Sequence, residues 1–118
     1  MSNLKNLKDL HQNYVNAGKL LEGFEKYYAE NVVMQELGEE PRVGKETNRT
    51  HEINFVQSMK EVHGAGILGF AEDVENNKTM LESWMDLTFA NGYRAKMQQV
   101  AVQTWENGLI VNELFYHK

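Results

Sequence analysis

Cysteine is absent from the 118 residues, which excludes disulfides, thiolate nucleophiles and cysteine-ligated metal sites. Proline occurs once, at Pro41, and 42% of the residues are hydrophobic, so the composition is that of a folded chain rather than a disordered one. Positive charge is in deficit: 12 Lys+Arg against 17 Asp+Glu give a net charge of −5. That balance supplies no electrostatic footprint for nucleic acid or for an anionic membrane surface. Arg42, Lys45 and Arg49 are interrupted by acids and read as a solvated edge. No apolar run reaches the length of a membrane span, and the stretch from Met1 to Leu10 is too polar for a signal peptide. The expectation is a single soluble, cytoplasmic domain over residues 1–118.

Metal and cofactor signatures are also missing. His11, His51, His63 and His117 match no helical zinc pair, and the glycines at 64, 66 and 69 form no phosphate-binding fingerprint. The chain is therefore expected to work without a metal or cofactor. Met59, Met80, Met85 and Met97 read as adaptable core packing.

The sequence is rich in turn signals near its C-terminus. Asn91-Gly92 and Asn107-Gly108 separate three alternating runs, Thr79 to Ala90, Tyr93 to Trp105 and Leu109 to Tyr116, a pattern that predicts an antiparallel meander. Upstream, Leu4, Leu7, Leu10, Tyr14 and Val15 recur at helical spacing behind Ser2 or Asn3 as cap, with a stop at Gly18. A second helix is predicted through Leu20, Phe24 and Tyr28 to Asn31, a strand over 32–37, a loop over 38–44 and a third helix over 45–61. A further strand over 62–74 is weakened by its glycines, and Asn76-Asn77 reads as a two-residue turn. Helices gathered ahead of a meander predict an α+β domain with the helices packed on one sheet face.

Parity along the strands decides the chemistry. A two-residue turn at Asn91-Gly92 would pair Trp84 with Gln99 and make one face of Glu82, Trp84, Asp86, Gln99 and Gln103, with Gly69 and Ala71 opposite the indole. At Asn107-Gly108 a two-residue loop would put Asn112 and Leu114 on that face. A three-residue loop with a bulge at Gly108 would put Glu113 there, beside Ala101, and is preferred. The polar face is expected to look inward onto the helices, leaving an apolar outer face for a second subunit. If it instead faces water, Leu81, Met85 and Leu87 lie under the helices.

Several segments resemble one known group: Tyr28-Ala29-Glu30-Asn31-Val32-Val33, then Pro41-Arg42-Val43-Gly44-Lys45-Glu46, then Gln103 through Val111. Together they are similar to the nuclear transport factor two superfamily, and within it to the SnoaL-like branch that includes polyketide cyclases and stands near ketosteroid isomerase. The resemblance implies a cone-shaped α+β barrel, three helices cupped by a curved sheet around a cavity, and a homodimer. It places Glu36 (or Gln35) where the isomerase has its base, His11 near its helical tyrosine and Ala101 near its protonated acid. The isomerase constellation is thus not reproduced.

The resulting expectation is a pocket for a small apolar or aromatic molecule. Asp86, Glu113 and Glu36 are the candidate acid–base residues, and Glu82 beside Glu113 would keep one carboxyl protonated. Tyr14, Tyr28, Phe55, Trp84, Met97, Gln99, Gln103 and Phe115 are the candidate ligand contacts. The same carboxylates are equally the kind that shape a cavity through hydrogen bonds without reacting. A non-catalytic interaction or carrier module is the alternative.

Overall fold

The helical stripe of Leu4, Leu7 and Leu10 forms α1 (Asn3–Asn13) in the computed structural model, which describes residues 2–117. Ser2 caps it, its Oγ accepting the Lys5 N–H at 3.1 Å. A 3-10 turn over Val15–Ala17 leads to α2 (Leu20–Tyr27). The chain then passes directly into β1 (Tyr28–Glu36), so the expected helical stretch from Tyr28 to Asn31 is strand. Tertiary pairing explains the difference. Tyr28 lies beside Ile110 of the last strand and stacks on Phe24 with ring centroids 4.8 Å apart, contacts that outweigh the helical preference of Ala29-Glu30.

A short β2 (Arg42–Val43) interrupts the expected loop, and α3 (Lys45–Ser58) gives way to β3 at Met59, three residues before its predicted end. The strands β3 (Met59–Asp73), β4 (Lys78–Phe89), β5 (Arg94–Glu106) and β6 (Leu109–His117) form the meander. The six-stranded sheet has the order β2-β1-β6-β5-β4-β3, with β1 parallel to β6 and its other neighbours antiparallel. The three helices cover one face. Leu7 and Leu10 of α1, Phe24 and Tyr27 of α2, Leu81 of β4, Trp105 of β5 and Ile110 of β6 share the core.

Each turn departs from its expected length, and the departures set the faces. At Asn91 the hydrogen bonds Gly92 N–H to Phe89 O and Phe89 N–H to Tyr93 O close a three-residue loop, with Gly92 at φ 89°. Trp84 therefore pairs with Gln98 and Asp86 with Lys96, one residue away from the predicted register. At Asn107-Gly108 the loop has two residues, both at positive φ (52° and 79°), as a type I′ turn requires. The pairing then jumps from Trp105↔Ile110 to Thr104↔Asn112, leaving Val111 as a bulge. Between β3 and β4 the loop spans 74–77, and bulges in β3 bring Gly66, not Gly69, opposite Trp84.

Candidate functional site

Because side chains alternate, the register above places Leu81, Ser83, Met85 and Leu87 of β4 beneath the helices with Met97, Gln99, Ala101 and Gln103 of β5. Leu81 and Leu87 are fully buried. This overturns the expected inward orientation of Trp84, Asp86 and Glu82. Trp84 belongs to the strand segment that walls the cavity, but its indole lies on the outer face over Gly64 and Gly66, with Lys96 Nζ 4.8 Å from the ring centroid. A Cβ at Gly66 would stand 2.5 Å from the indole Nε1, so the bare backbone there makes room for the ring. Asp86 is held by Arg94, whose Nε and Nη2 donate at 3.1 and 3.0 Å. Those bonds lower its pKa. Glu82 is exposed beside Val100.

The bulge at Val111 has the opposite effect on Glu113. It turns this carboxylate under the helices, beside Gln103 rather than Ala101, where it is 1% exposed. Tyr28 Oη donates to Oε1, and Gln103 Nε2 donates to Oε2 at 2.8 Å. Behind Gln103, Thr79 Oγ1 donates to the amide oxygen at 2.8 Å and Trp105 Nε1 donates to Thr79 Oγ1 at 2.8 Å. An indole N–H can only donate, so the hydroxyl proton must point at Gln103. That orientation in turn aims the Gln103 amide NH2 at the carboxylate. Burial pushes Glu113 up to about 7, against the two hydrogen bonds that favour its anion. Burial and the neighbouring carboxylate hold the Tyr28 phenol well above its usual range.

Glu113 opens onto a cavity of about 170 Å³. Its walls are mostly apolar, with Leu10, Phe24, Phe55, Ile67, Met97 and Phe115 contributing, and Gln99 and Ser83 as neutral polar positions. A second carboxyl, Glu52 of α3, lines the same space. Burial, and then the charge of Glu113, push it up to about 7. Glu52 lines the cavity, and Glu113, Arg42 and Glu36 act on it through their charges. The expected pairing of Glu82 with Glu113 does not form, since Glu82 is on the outer face; the carboxyl that feels the charge of Glu113 is Glu52.

Glu36, the third carboxylate in the wall, is ion-paired with Arg42 Nη1. Arg42 Nε also donates to Asn48 Oδ1 at 3.1 Å, which fixes the guanidinium between strand and helix. His11 contributes from α1; its Nε2 is buried without a partner, and burial lowers the imidazole to about 4, so it is neutral. Among the expected contacts, Tyr28, Phe55, Met97, Gln99 and Phe115 do line the cavity. Gln103 stands behind the wall as the support of Glu113. Tyr14 lies outside the wall, edge-on to Tyr27 with Lys26 over its ring. No cluster of His, Asp or Glu able to hold a metal ion forms among the described residues.

Glu52 was missed by the sequence reading. The available signal was its place on the stripe Lys45, Asn48, Glu52, Phe55, a three-and-four spacing that puts it on the inner side of α3 with the buried Lys45 and Asn48.

A family model for the SnoaL-like domain matches residues 3–117. The chain is a SnoaL-like domain. Solved relatives show how widely this fold is shared. A protein from Mesorhizobium loti named as a SnoaL-like polyketide cyclase (carbohydrate phosphatase) is 29% identical, with a TM-score of 0.81 over 98% of this chain and 99% of that one. A Bacillus subtilis protein named as an isomerase has a TM-score of 0.84 at 13% identity over 100% and 90% of the two chains. An LEH-like epoxide hydrolase from M. tuberculosis has 0.74 at 13% identity over 98% and 82%. The last two likenesses show the fold alone. No curated protein matches this SnoaL-like domain. No helix among the described residues is long and apolar enough to cross a membrane.

Proposed function

We propose that the cavity binds a small, largely apolar carbonyl compound and that Glu113 and Glu52 exchange a proton with it, as in an isomerase or cyclase. The observation that carries this reading is the pair itself: two carboxyls raised to about 7 by burial in one apolar cavity. Near neutral pH such a pair shares about one proton. The ionised member removes a proton from the carbon next to the carbonyl, and the protonated member gives its proton to the carbonyl oxygen, forming the enol; reversal with the proton returned to a different atom completes an isomerisation. Glu113 is pinned by Tyr28 and Gln103. The 29% identical relative named as a SnoaL-like polyketide cyclase supports this class of chemistry.

Deuterium exchange into beta-tetralone in heavy water tests the reading. Enzyme-dependent exchange that falls at least ~100-fold in both Glu113→Gln and Glu52→Gln supports it. No exchange, with neither carboxyl titrating near neutrality by carbon NMR, ends it. The carrier alternative is favoured by the complete hydrogen bonding of Glu113, and predicts binding of the ketone without exchange.

A homodimer through the outer sheet face belongs to the same proposal. Its support is now different, because the apolar face lies under the helices. The outer face instead offers Trp84, Val100 and Tyr116, the last two 37% and 43% exposed. Sedimentation velocity on Tyr116→Glu tests it: a dimer that becomes monomeric supports the interface, and a wild-type monomer removes it.

A further inference from the structure

The methionines on the inner face have no role in the proton chemistry, and their arrangement points to the shape of the substrate. Met85 of β4 and Met97 of β5 pair across the sheet in the cavity wall. Beyond Met85 lies a second depression of about 480 Å³, between the 3-10 turn and start of α2 on one side and the end of α3 and start of β3 on the other. Leu20, Leu21, Val56, Met59, Val62 and Met85 give it an apolar lining. The two spaces share Val15, Asn16, Leu20 and Met85 in their walls, so they are neighbours with the Met85 side chain between them. The outer space is larger than the inner one, and Val62 within it is 53% exposed, apolar surface left bare beside the cavity that Glu52 and Glu113 line. Methionine suits a passage of this kind, since its unbranched, polarisable chain adapts to what lies against it.

Building on the acid–base reading, we propose that the substrate is longer than the inner cavity: a carbonyl head sits at Glu52 and Glu113, and an unbranched aliphatic tail passes Met85 into the outer groove. The shared wall, with only a flexible methionine side chain between the two spaces, favours the ligand's own tail as the occupant. The rim carries one Lys and one Glu, Lys19 and Glu22, and so offers no net charge to recruit an ionic group. Met85 acts as a positioning residue that sets how much chain can pass.

Isothermal titration calorimetry with methyl alkyl ketones of increasing chain length tests the proposal. In the wild type, affinity is expected to rise about fourfold per added methylene until the groove is filled. Met85→Trp, which blocks the passage, is expected to flatten the series, so that affinity no longer rises with chain length. Val62→Glu, at an exposed position that the fold tolerates, is expected to weaken the longest ketones at least ~10-fold while sparing the shortest. A wild-type series that is flat beyond the shortest ketones overturns the proposal, as does a slope that survives both variants. So does a Val62→Glu protein that changes its self-association in sedimentation velocity without changing the slope, since the groove would then be an interface between copies. The two readings fail separately. A normal slope with no deuterium exchange removes the acid–base reading alone, and exchange that depends on Glu113 with a flat slope removes the tail site alone.

Discussion

The two faces of one sheet carry the same pair of residue types and use them in opposite ways. On the outer face Trp84 and Asp86 lie two residues apart on β4; on the inner face Trp105 and Glu113 are linked through Thr79 and Gln103. Asp86 is chelated by a guanidinium near water, and its pKa falls. Glu113 is bound only by neutral donors in a buried setting, and its pKa rises to about 7. Trp84 lies on bare backbone under a lysine, whereas Trp105 is 1% exposed and spends its N–H on a buried hydroxyl. A carboxylate beside a tryptophan is thus no site in itself. The face decides: on the outer side the Arg94 hydrogen bonds outweigh the effect of burial, and on the inner side burial outweighs the hydrogen bonds.

Breaking the inner member should cost most. Trp105→Ala removes a buried indole and leaves Thr79 without its donor, and should lower unfolding free energy in urea by about 3–5 kcal/mol, against about 1–2 kcal/mol for Trp84→Ala. A comparable loss from the two would dissolve the contrast. Next in size, Glu113→Gln and Glu52→Gln should lower deuterium exchange at least ~100-fold, while Asp86→Asn leaves it intact; the reverse pattern would move the site to the outer face.

The pH dependence sharpens the comparison further. Glu52 holds its proton more tightly folded than unfolded, so its contribution is fully present below about pH 4.5 and is lost as pH rises through about 7. Glu52→Gln should therefore match the wild type in thermal unfolding at pH 5 and exceed it at pH 8, by on the order of 1–3 kcal/mol. Asp86 runs the other way: its lowered pKa gives stability present above its unfolded value and lost only on acidification. Gly66→Ala should cost about 1 kcal/mol and shift the Trp84 fluorescence to the red as the indole lifts from the sheet. Asp86→Asn should be the smallest perturbation, lowering the melting temperature at neutral pH only slightly, because the ion pair with Arg94 is screened by solvent.

Much of the architecture was legible because it rests on periodicity. The leucine stripe of α1, the meander and the α+β class all follow from spacing that tertiary contacts reinforce. The faces were not legible in the same way. Asn-Gly is compatible with a two-residue I′ turn and with a three-residue loop ending in a left-handed glycine, and the choice between them inverts every side chain beyond it. The chain uses one at Asn107 and the other at Asn91. The bulges at Val111 and in β3 have no local signature either, since they arise where strands of a curved sheet must slip past one another. Glu113 was expected inward, but through a bulged turn, whereas the inward turn comes from Val111 in the strand. Glu52 was legible in principle from its helical stripe, with Lys45, Asn48 and Phe55 one turn apart on the inner side of α3.

The one-way polarity of the Trp105, Thr79, Gln103 and Glu113 chain limits where protons can travel. An indole has no lone pair to receive a proton, and a primary amide does not hand one on, so the rear of the acid is insulated. Any proton that Glu113 gains or loses has to come by way of the Tyr28 hydroxyl or across the cavity, through Glu52, a ligand or entering water. Turnover would then be gated by how the cavity is filled and emptied.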